Sequence, residues 1–310
     1  MQSNSTQPGR TRAQLLVVEL WGIGDLALAM PFLRVASQHA RVTLLAKPHA
    51  EPLLRRFCPE VELLPFTAPW TAFRHKYDLP SWPWPEFAAL IGGLRSRRFA
   101  AAVSARHDPR DHALLALSGA GLRAGFARLG SGALLTDALP APPRPHRAAH
   151  WQALATHFGW EIPAPATGRC AGRHVVIHTG AGRLVRAWPR DRFEAVAERL
   201  RGAGWRVTLL DDSLRDLDAL LDTLAGADRF IGNDSGPGHL AALLGVPTFT
   251  VFGPQLPELF APQHPQAAWI DGAPCAFKPC FDSCRFGSPH CIRELGVETV
   301  WPRIARWLSA

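Results

Sequence analysis

The chain has 310 residues, with 47% hydrophobic and 19% charged residues and a net charge of +8 at pH 7. At roughly 100–200 residues per domain, two domains are expected; no run of about 20 apolar residues is present to span a bilayer, and Met1 to Arg12 is polar and lacks the apolar stretch of a secretory signal, so the expected location is the cytoplasm. Arg supplies nearly all of the basic charge, with Lys only at 47, 76 and 278, which points to an anionic partner (a sugar nucleotide, a phosphorylated glycolipid or a membrane surface); basic blocks such as Arg95 to Arg98 are short and no zinc-finger, RNP or helix-turn-helix pattern accompanies them, so no nucleic acid partner is expected.

The first half alternates strand-like and helix-like patterns. Leu15 to Leu20 is an apolar run of strand length, and Leu26 to Ser37 reads as a helix whose regular part starts at Pro31. Val42 to Ala46 and Val61 to Pro65 read as strands with a short helix, Glu51 to Phe57, between them. Phe87 to Leu94 reads as helix, Phe99 to Ser104 as strand and Ala113 to Leu117 as helix. Such alternation argues for a parallel sheet covered on both faces. Phe66 to Pro85 breaks the rhythm with Trp70, Trp82 and Trp84 among prolines; it is either a functional loop or a cover for the domain's edge. Pro140 to Pro145 and Pro163 to Pro165 bracket a helical stretch, Ala148 to Phe158, as a stiff linker with one bridging helix.

The second half repeats the alternation. His174 to His178, Arg206 to Leu210, Arg229 to Ile231 and Thr248 to Phe252 read as strands. Arg192 to Arg201 is amphipathic, with Phe193, Val196, Ala197 and Leu200 on one face, and Leu214 to Ala225, His239 to Leu244 and Val297 to Leu308 read as further helices.

Three turns carry chemistry. Trp21-Gly-Ile-Gly-Asp25 follows the first strand; it lacks a full GxGxxG and no acidic residue follows the second strand, so it is not a dinucleotide site. Asp25 there is either a helix cap or a general base in a cleft. His178-Thr-Gly-Ala-Gly-Arg183, with Arg186 close behind, offers backbone N–H groups and two guanidiniums suited to a diphosphate. Ile231-Gly-Asn-Asp-Ser-Gly-Pro-Gly-His-Leu240 is a strand, a small-residue turn and a helix N-terminus, which together make an anion site. Asp234 and Ser235 either cap that helix or hold a ligand hydroxyl. Four cysteines, Cys275, Cys280, Cys284 and Cys291, cluster near the end. They are read either as a structural zinc or iron site or as reduced thiols in a loop, because disulfides are rare in the cytosol.

These residues together resemble glycosyltransferase family 9, the heptosyltransferases of lipopolysaccharide core assembly. The likeness runs through Leu15 to Pro31, Arg98 to Phe126, His178 to Phe193 and, most specifically, Ala225 to Pro254. It implies an α/β GT-B fold: two Rossmann-like domains with parallel sheets facing across a cleft. The expected division is residues 1–147 as the acceptor-binding domain, 148–165 as the linker and 166–295 as the nucleotide-sugar domain with its Cys-rich tail. Residues 296–310 would be a helix crossing back to the N-terminal domain.

The resemblance further implies an inverting transfer of heptose from ADP-heptose to an anionic glycolipid acceptor at the inner membrane surface, with no cofactor required for catalysis. Asp25 matches the proposed base. Thr179, Gly180, Arg183, Arg186, Asp212, Asp234, Ser235, Gly236 and His239 fall on the donor side, and Gly24, Arg106 and His107 on the acceptor side. Two departures stand out. Arg186 replaces the family's usual Lys, and the segment after Asp211-Asp212 is short where the family has a further connecting unit, which leaves the donor base open. A protein or other acceptor, another nucleotide sugar, and a non-catalytic GT-B binding protein are the alternatives.

Overall fold

The computed structural model describes residues 12–72, 78–165, 167, 172–214, 216–280 and 283–309. Residues 1–11 of the polar N-terminal stretch, 73–77 of the aromatic segment, and Cys170 lie outside the described residues.

The first layer unit is built from β1 (Gln14–Val18), α1 (Ile23–His39), β2 (Arg41–Ala46), α2 (Glu51–Phe57), β3 (Glu62–Pro65), α3 (Trp84–Ser96), β4 (Ala101–Val103), α4 (Pro109–Leu117), β5 (Leu122–Gly125) and β6 (Asp137–Ala138). Its strands lie in the order β3-β2-β1-β4-β5-β6 and pair in parallel throughout. β1 sits inside the sheet with Leu16 opposite Thr43 on one side and Ala102 on the other. Helices cover both faces, which is why its sequence is a continuous apolar run rather than an alternating one.

α5 (Arg147–His157) follows the proline-rich connection and packs on α1, with the Trp151 ring 5.1 Å from that of Phe32. The second unit then runs β7 (His174–His178), α6 (Arg190–Gly202), β8 (Arg206–Leu210), α7 (Leu217–Ala225), β9 (Arg229–Asn233), α8 (Gly236–Leu243), β10 (Thr248–Phe252), α9 (Pro257–Phe260), β11 (Ala268–Asp271), α10 (His290–Arg293) and α11 (Val297–Leu308). Its parallel sheet has the order β11-β10-β9-β7-β8.

The structure departs from the sequence reading in three places. α1 begins at Ile23 rather than at Leu26, and Pro31, expected to start its regular part, lies inside the helix. β5, β6 and β11 were not expected as strands. The last helix does not cross back to the N-terminal domain. Val300, Ile304 and Trp307 bury their side chains among Phe193, Val196, Ile231 and Phe249 of the second unit, and α11 packs on α6 and β11. The Trp307 indole N–H donates to the Gln266 carbonyl at 2.8 Å, fixing the end of the helix there.

The two units are joined chiefly through α1 and α8, which pack directly on one another. One apolar cluster includes Leu26, Met30, Phe32 and Leu33 of the first unit together with Leu221, Phe230, Leu240 and Ala241 of the second. Because both helices start at the carboxyl edges of their sheets, this packing brings those two edges together.

Candidate active site

β1 ends at Val18, and Glu19 to Gly22 lead into α1. Asp25 lies in the first turn, where the helix dipole favours a carboxylate. Its Oδ2 accepts the Gly22 N–H at 3.3 Å, so the capping role is real. The same oxygen is 3.3 Å from Arg106 Nη2, and a quarter of the side chain remains exposed. Asp25 is therefore held from two directions while keeping a face open to the cleft.

Arg106, after β4, is almost fully enclosed. Its guanidinium stacks on the Trp21 ring at 4.6 Å, and its Nε is 3.9 Å from Glu19 Oε1. Burial works against its charge, but Asp25 and Glu19 overcome that and hold it above its ordinary value. His107, the next residue, contacts His150 through its Nε2 at 2.8 Å and lies beside the Phe126 ring. Burial keeps His107 below the usual imidazole range and pushes His150 down to about 4, so the pair shares a neutral hydrogen bond near pH 7.

On the opposite wall, α8 starts at Gly236 directly after β9 and the Asp234-Ser235 turn. Ser235 spends its hydroxyl on the Asn233 carbonyl at 3.3 Å and gives α8 no side-chain cap. The positive end of the helix is thus free of a side-chain acceptor, as an anion site requires. Asp234 is buried, with Oδ2 3.7 Å from Arg186 Nη1 and without a hydrogen bond. Burial raises its carboxyl to about 6, against the pull of Arg186. His239 is buried with Nδ1 unpartnered, and burial pushes it down to about 4.

The loop after β7 is tied to this turn by Asn233. Its Oδ1 accepts the Trp188 N–H at 2.8 Å, and its Nδ2 donates to the carbonyls of Thr179 and Gly180 at 2.9 and 3.0 Å. One fully buried amide thereby fixes the spacing of both Gly-rich turns. Thr179 bonds the Leu210 carbonyl through both its N–H and its hydroxyl, which docks the loop on β8. The Asp212 carboxylate, itself largely exposed, fills the space beside Gly180. Asp212 Oδ1 is 3.9 Å from His178 Nε2. Arg183 and Arg186 sit half-buried on the same loop.

Gly24 and Asp25 at the start of α1, Arg106 after β4, Arg186 after β7, and Asp234, Gly236 and His239 at the start of α8 are thus brought together at the facing carboxyl edges of the two sheets. Gly24 abuts His239 and Gly236 abuts Ile23. His107 is turned toward His150. Three residues of the site escaped the sequence reading. Asn233 was noticed only as part of a turn. Glu19 was counted into an apolar strand, although a charge ending such a strand beside a Gly turn is a signal. Arg147, which opens α5, acts electrostatically on Glu19, Arg106 and His107.

Among the described residues no three His, Cys, Asp or Glu side chains form a group that could hold a metal ion. Cys280 Sγ donates to the Phe277 carbonyl at 3.4 Å and Cys284 Sγ to the Ser288 carbonyl at 3.3 Å, while Cys291 is buried. Burial, reinforced by the neighbouring thiols, raises Cys280, and burial raises Cys291. Both shifts favour the protonated thiol over the thiolate that a metal would need.

The sequence profile of glycosyltransferase family 9 (heptosyltransferase) matches residues 214–288, which contain β9, α8 and the turn between them. This stretch of the chain is similar to that family. Lipopolysaccharide heptosyltransferase 1 of Pseudomonas aeruginosa is 28% identical over 173 residues, covering 44% of this chain and 48% of that protein. The chain thus matches about half the length of that curated relative. E. coli heptosyltransferase WaaC with ADP superposes with a TM-score of 0.73 at 17% identity, over 95% of this chain and 99% of that one. The family 9 glycosyl transferase from Veillonella parvula DSM 2008 gives 0.74 at 15% identity, over 98% and 99%. The fold is the expected GT-B arrangement of two parallel-sheet domains. Among the described residues, no helix is long and apolar enough to cross a membrane.

Proposed function

We propose that the protein is an inverting glycosyltransferase that moves a heptose from ADP-heptose to an anionic glycolipid acceptor of the lipopolysaccharide core type, at the inner face of the membrane. The observation that carries this reading is the juxtaposition of Asp25 with the N-terminus of α8, through the Gly24–His239 contact. A base on one domain then faces an anion site on the other. The relatives' names, lipopolysaccharide heptosyltransferases, support the choice of donor and acceptor.

In this reading Asp25 takes the proton from the acceptor hydroxyl as its oxygen bonds to the anomeric carbon. The bond from that carbon to the diphosphate oxygen breaks, and its electron pair leaves with the nucleotide. Arg186 and the positive end of α8 stabilise the departing diphosphate, so the protein's own charges meet the need a divalent ion would otherwise serve. His239, neutral at pH 7 through burial, offers a polar nitrogen beside the donor without adding charge.

A different nucleotide on the donor is favoured by one observation. Only residues 211–216 separate β8 from α7, so the wall beside a bound base is short. The test is a thermal-shift panel of nucleotide sugars followed by transfer assays with lipopolysaccharide core acceptors. Stabilisation by ADP and ADP-heptose with product formation supports the reading. Stabilisation by another nucleotide alone replaces the donor, and no response to any ligand overturns the enzyme.

A further inference from the structure

Glu19 is 2% exposed and lies just beyond the end of β1, between the sheet and the cleft. Its Oε1 accepts the Trp21 N–H at 3.1 Å and faces Arg106 Nε at 3.9 Å. Trp21 in turn carries the Arg106 guanidinium on its ring at 4.6 Å, and Arg106 reaches Asp25 at 3.3 Å. Glu19 thus fixes the edge of the guanidinium and the backbone of the ring beneath it.

We propose that Glu19 is the positioning residue for the base: it holds Arg106 between two carboxylates and supplies the negative charge that keeps this cation from neutralising Asp25. This rests on the reading of Asp25 as the proton acceptor. A Gln would accept the Trp21 N–H equally well; what only a carboxylate adds is charge, and burying a charge is costly unless it is paired. With both acids ionised the triad carries a net charge of −1, and the exposed face of Asp25 presents it to the cleft. With Glu19 neutral the net charge is zero, and Arg106 pairs with Asp25 alone.

The charged groups around Glu19 come from every neighbouring element: Asp25 on α1, Lys47 after β2, Arg106 after β4, Asp111 on α4 and Arg147 at the start of α5. Burial, with Asp25 adding to it, pushes Glu19 up to about 7 against the pull of Arg106 and Arg147. The charge it lends is therefore present in the upper part of the working pH range and absent in the lower.

The test compares the wild type with E19Q and E19D across pH, using whichever nucleotide sugar the wild type turns over. Near pH 8.5, E19Q should lose about tenfold in kcat with little change in donor KM; near pH 6 the two should converge. E19D keeps the charge and should retain the pH-dependent limb. A constant ratio of E19Q to wild type at every pH, or no loss at any pH, overturns the proposal. A second readout needs no activity: the Glu19 carboxyl carbon followed by 13C NMR should titrate near neutrality and shift to higher pH in R106Q. An unchanged titration in R106Q removes the Glu19–Arg106 coupling, and the proposal with it. A wild type with no transfer but with this coupling defeats the glycosyltransferase reading instead.

Discussion

Gly24 of α1 and His239 of α8 are in direct contact: a β-carbon built on Gly24 would lie 2.8 Å from the Cδ2 of the buried His239 ring, with the Gly236 Cα 3.5 Å away. The two domains meet at a point with no room for a methyl group. G24A should therefore force the helices apart, destabilise the protein by about 1–3 kcal/mol and sharply reduce transfer. Urea unfolding and initial rates check this, and a variant as stable and active as the wild type would show that the helices separate freely.

On the proposed reading, Asp25 both accepts the Gly22 N–H and acts as the base, and substitution can part the two. D25N retains an oxygen to accept the Gly22 N–H, so the fold should hold. The base is gone, and kcat should fall by about 10²–10⁴-fold. Donor affinity, measured by calorimetry, should change little. Retained turnover in D25N would remove Asp25 from the mechanism.

Asn233 has no exposed surface and bonds three backbone groups of the neighbouring loop. N233A leaves the Trp188 N–H and two carbonyls without this partner. A loss of about 1–3 kcal/mol is expected, together with weaker binding of nucleoside diphosphates, because the loop that carries Arg186 is released. An unchanged diphosphate affinity would mean that the loop is held by other contacts.

Asp111 gives the stability curve a direction. It is fully buried, accepts from Ser104 Oγ at 3.3 Å, and is raised from 3.8 to about 8 by burial, with Asp108 and Glu19 adding to the effect. Between those two values the folded protein holds a proton that the unfolded chain has released. Stability should therefore be greatest below about pH 4 as far as this group is concerned. It should fall as pH rises toward 8, by up to about 1.4 kcal/mol per pH unit. D111N should flatten this slope, measurable by urea unfolding at pH 5 and pH 8; parallel slopes in both proteins would show that Asp111 is ionised throughout.

The strands His174–His178, Arg206–Leu210 and Thr248–Phe252 were readable to the residue because each is a short run enriched in apolar and β-branched residues between turn signals. β5 was not, because Leu-Arg-Ala-Gly carries a charge and a glycine where its pattern should be apolar. α1 starts three residues before the expected Leu26, because its first turn is drawn from the Gly-Ile-Gly-Asp segment that reads as a loop, and Pro31 is tolerated inside it. The face of α11 was visible in Val300, Ile304 and Trp307, but an amphipathic pattern does not name the surface that buries it. The same limit applies to the site. Gly turns and Asp25 announce themselves locally, whereas the pairing of Glu19 with Arg106 spans 87 positions of sequence and exists only once β1 and β4 lie side by side.

The apolar cluster that joins α1 to α8 has a consequence for how the enzyme can move. Pulling the domains straight apart would wet Phe32, Leu33, Leu240 and Ala241 together, so the two halves should melt as one cooperative unit. On that packing, a relative movement of the two domains that kept the seam dry would be a rotation about this helix pair rather than a separation. The side that gives way is the rim where Arg55 meets Asp218 and Arg56 meets Asp222, solvent-facing ion pairs that are readily broken and remade. The greasy seam acts as a pivot and the charged rim as a latch.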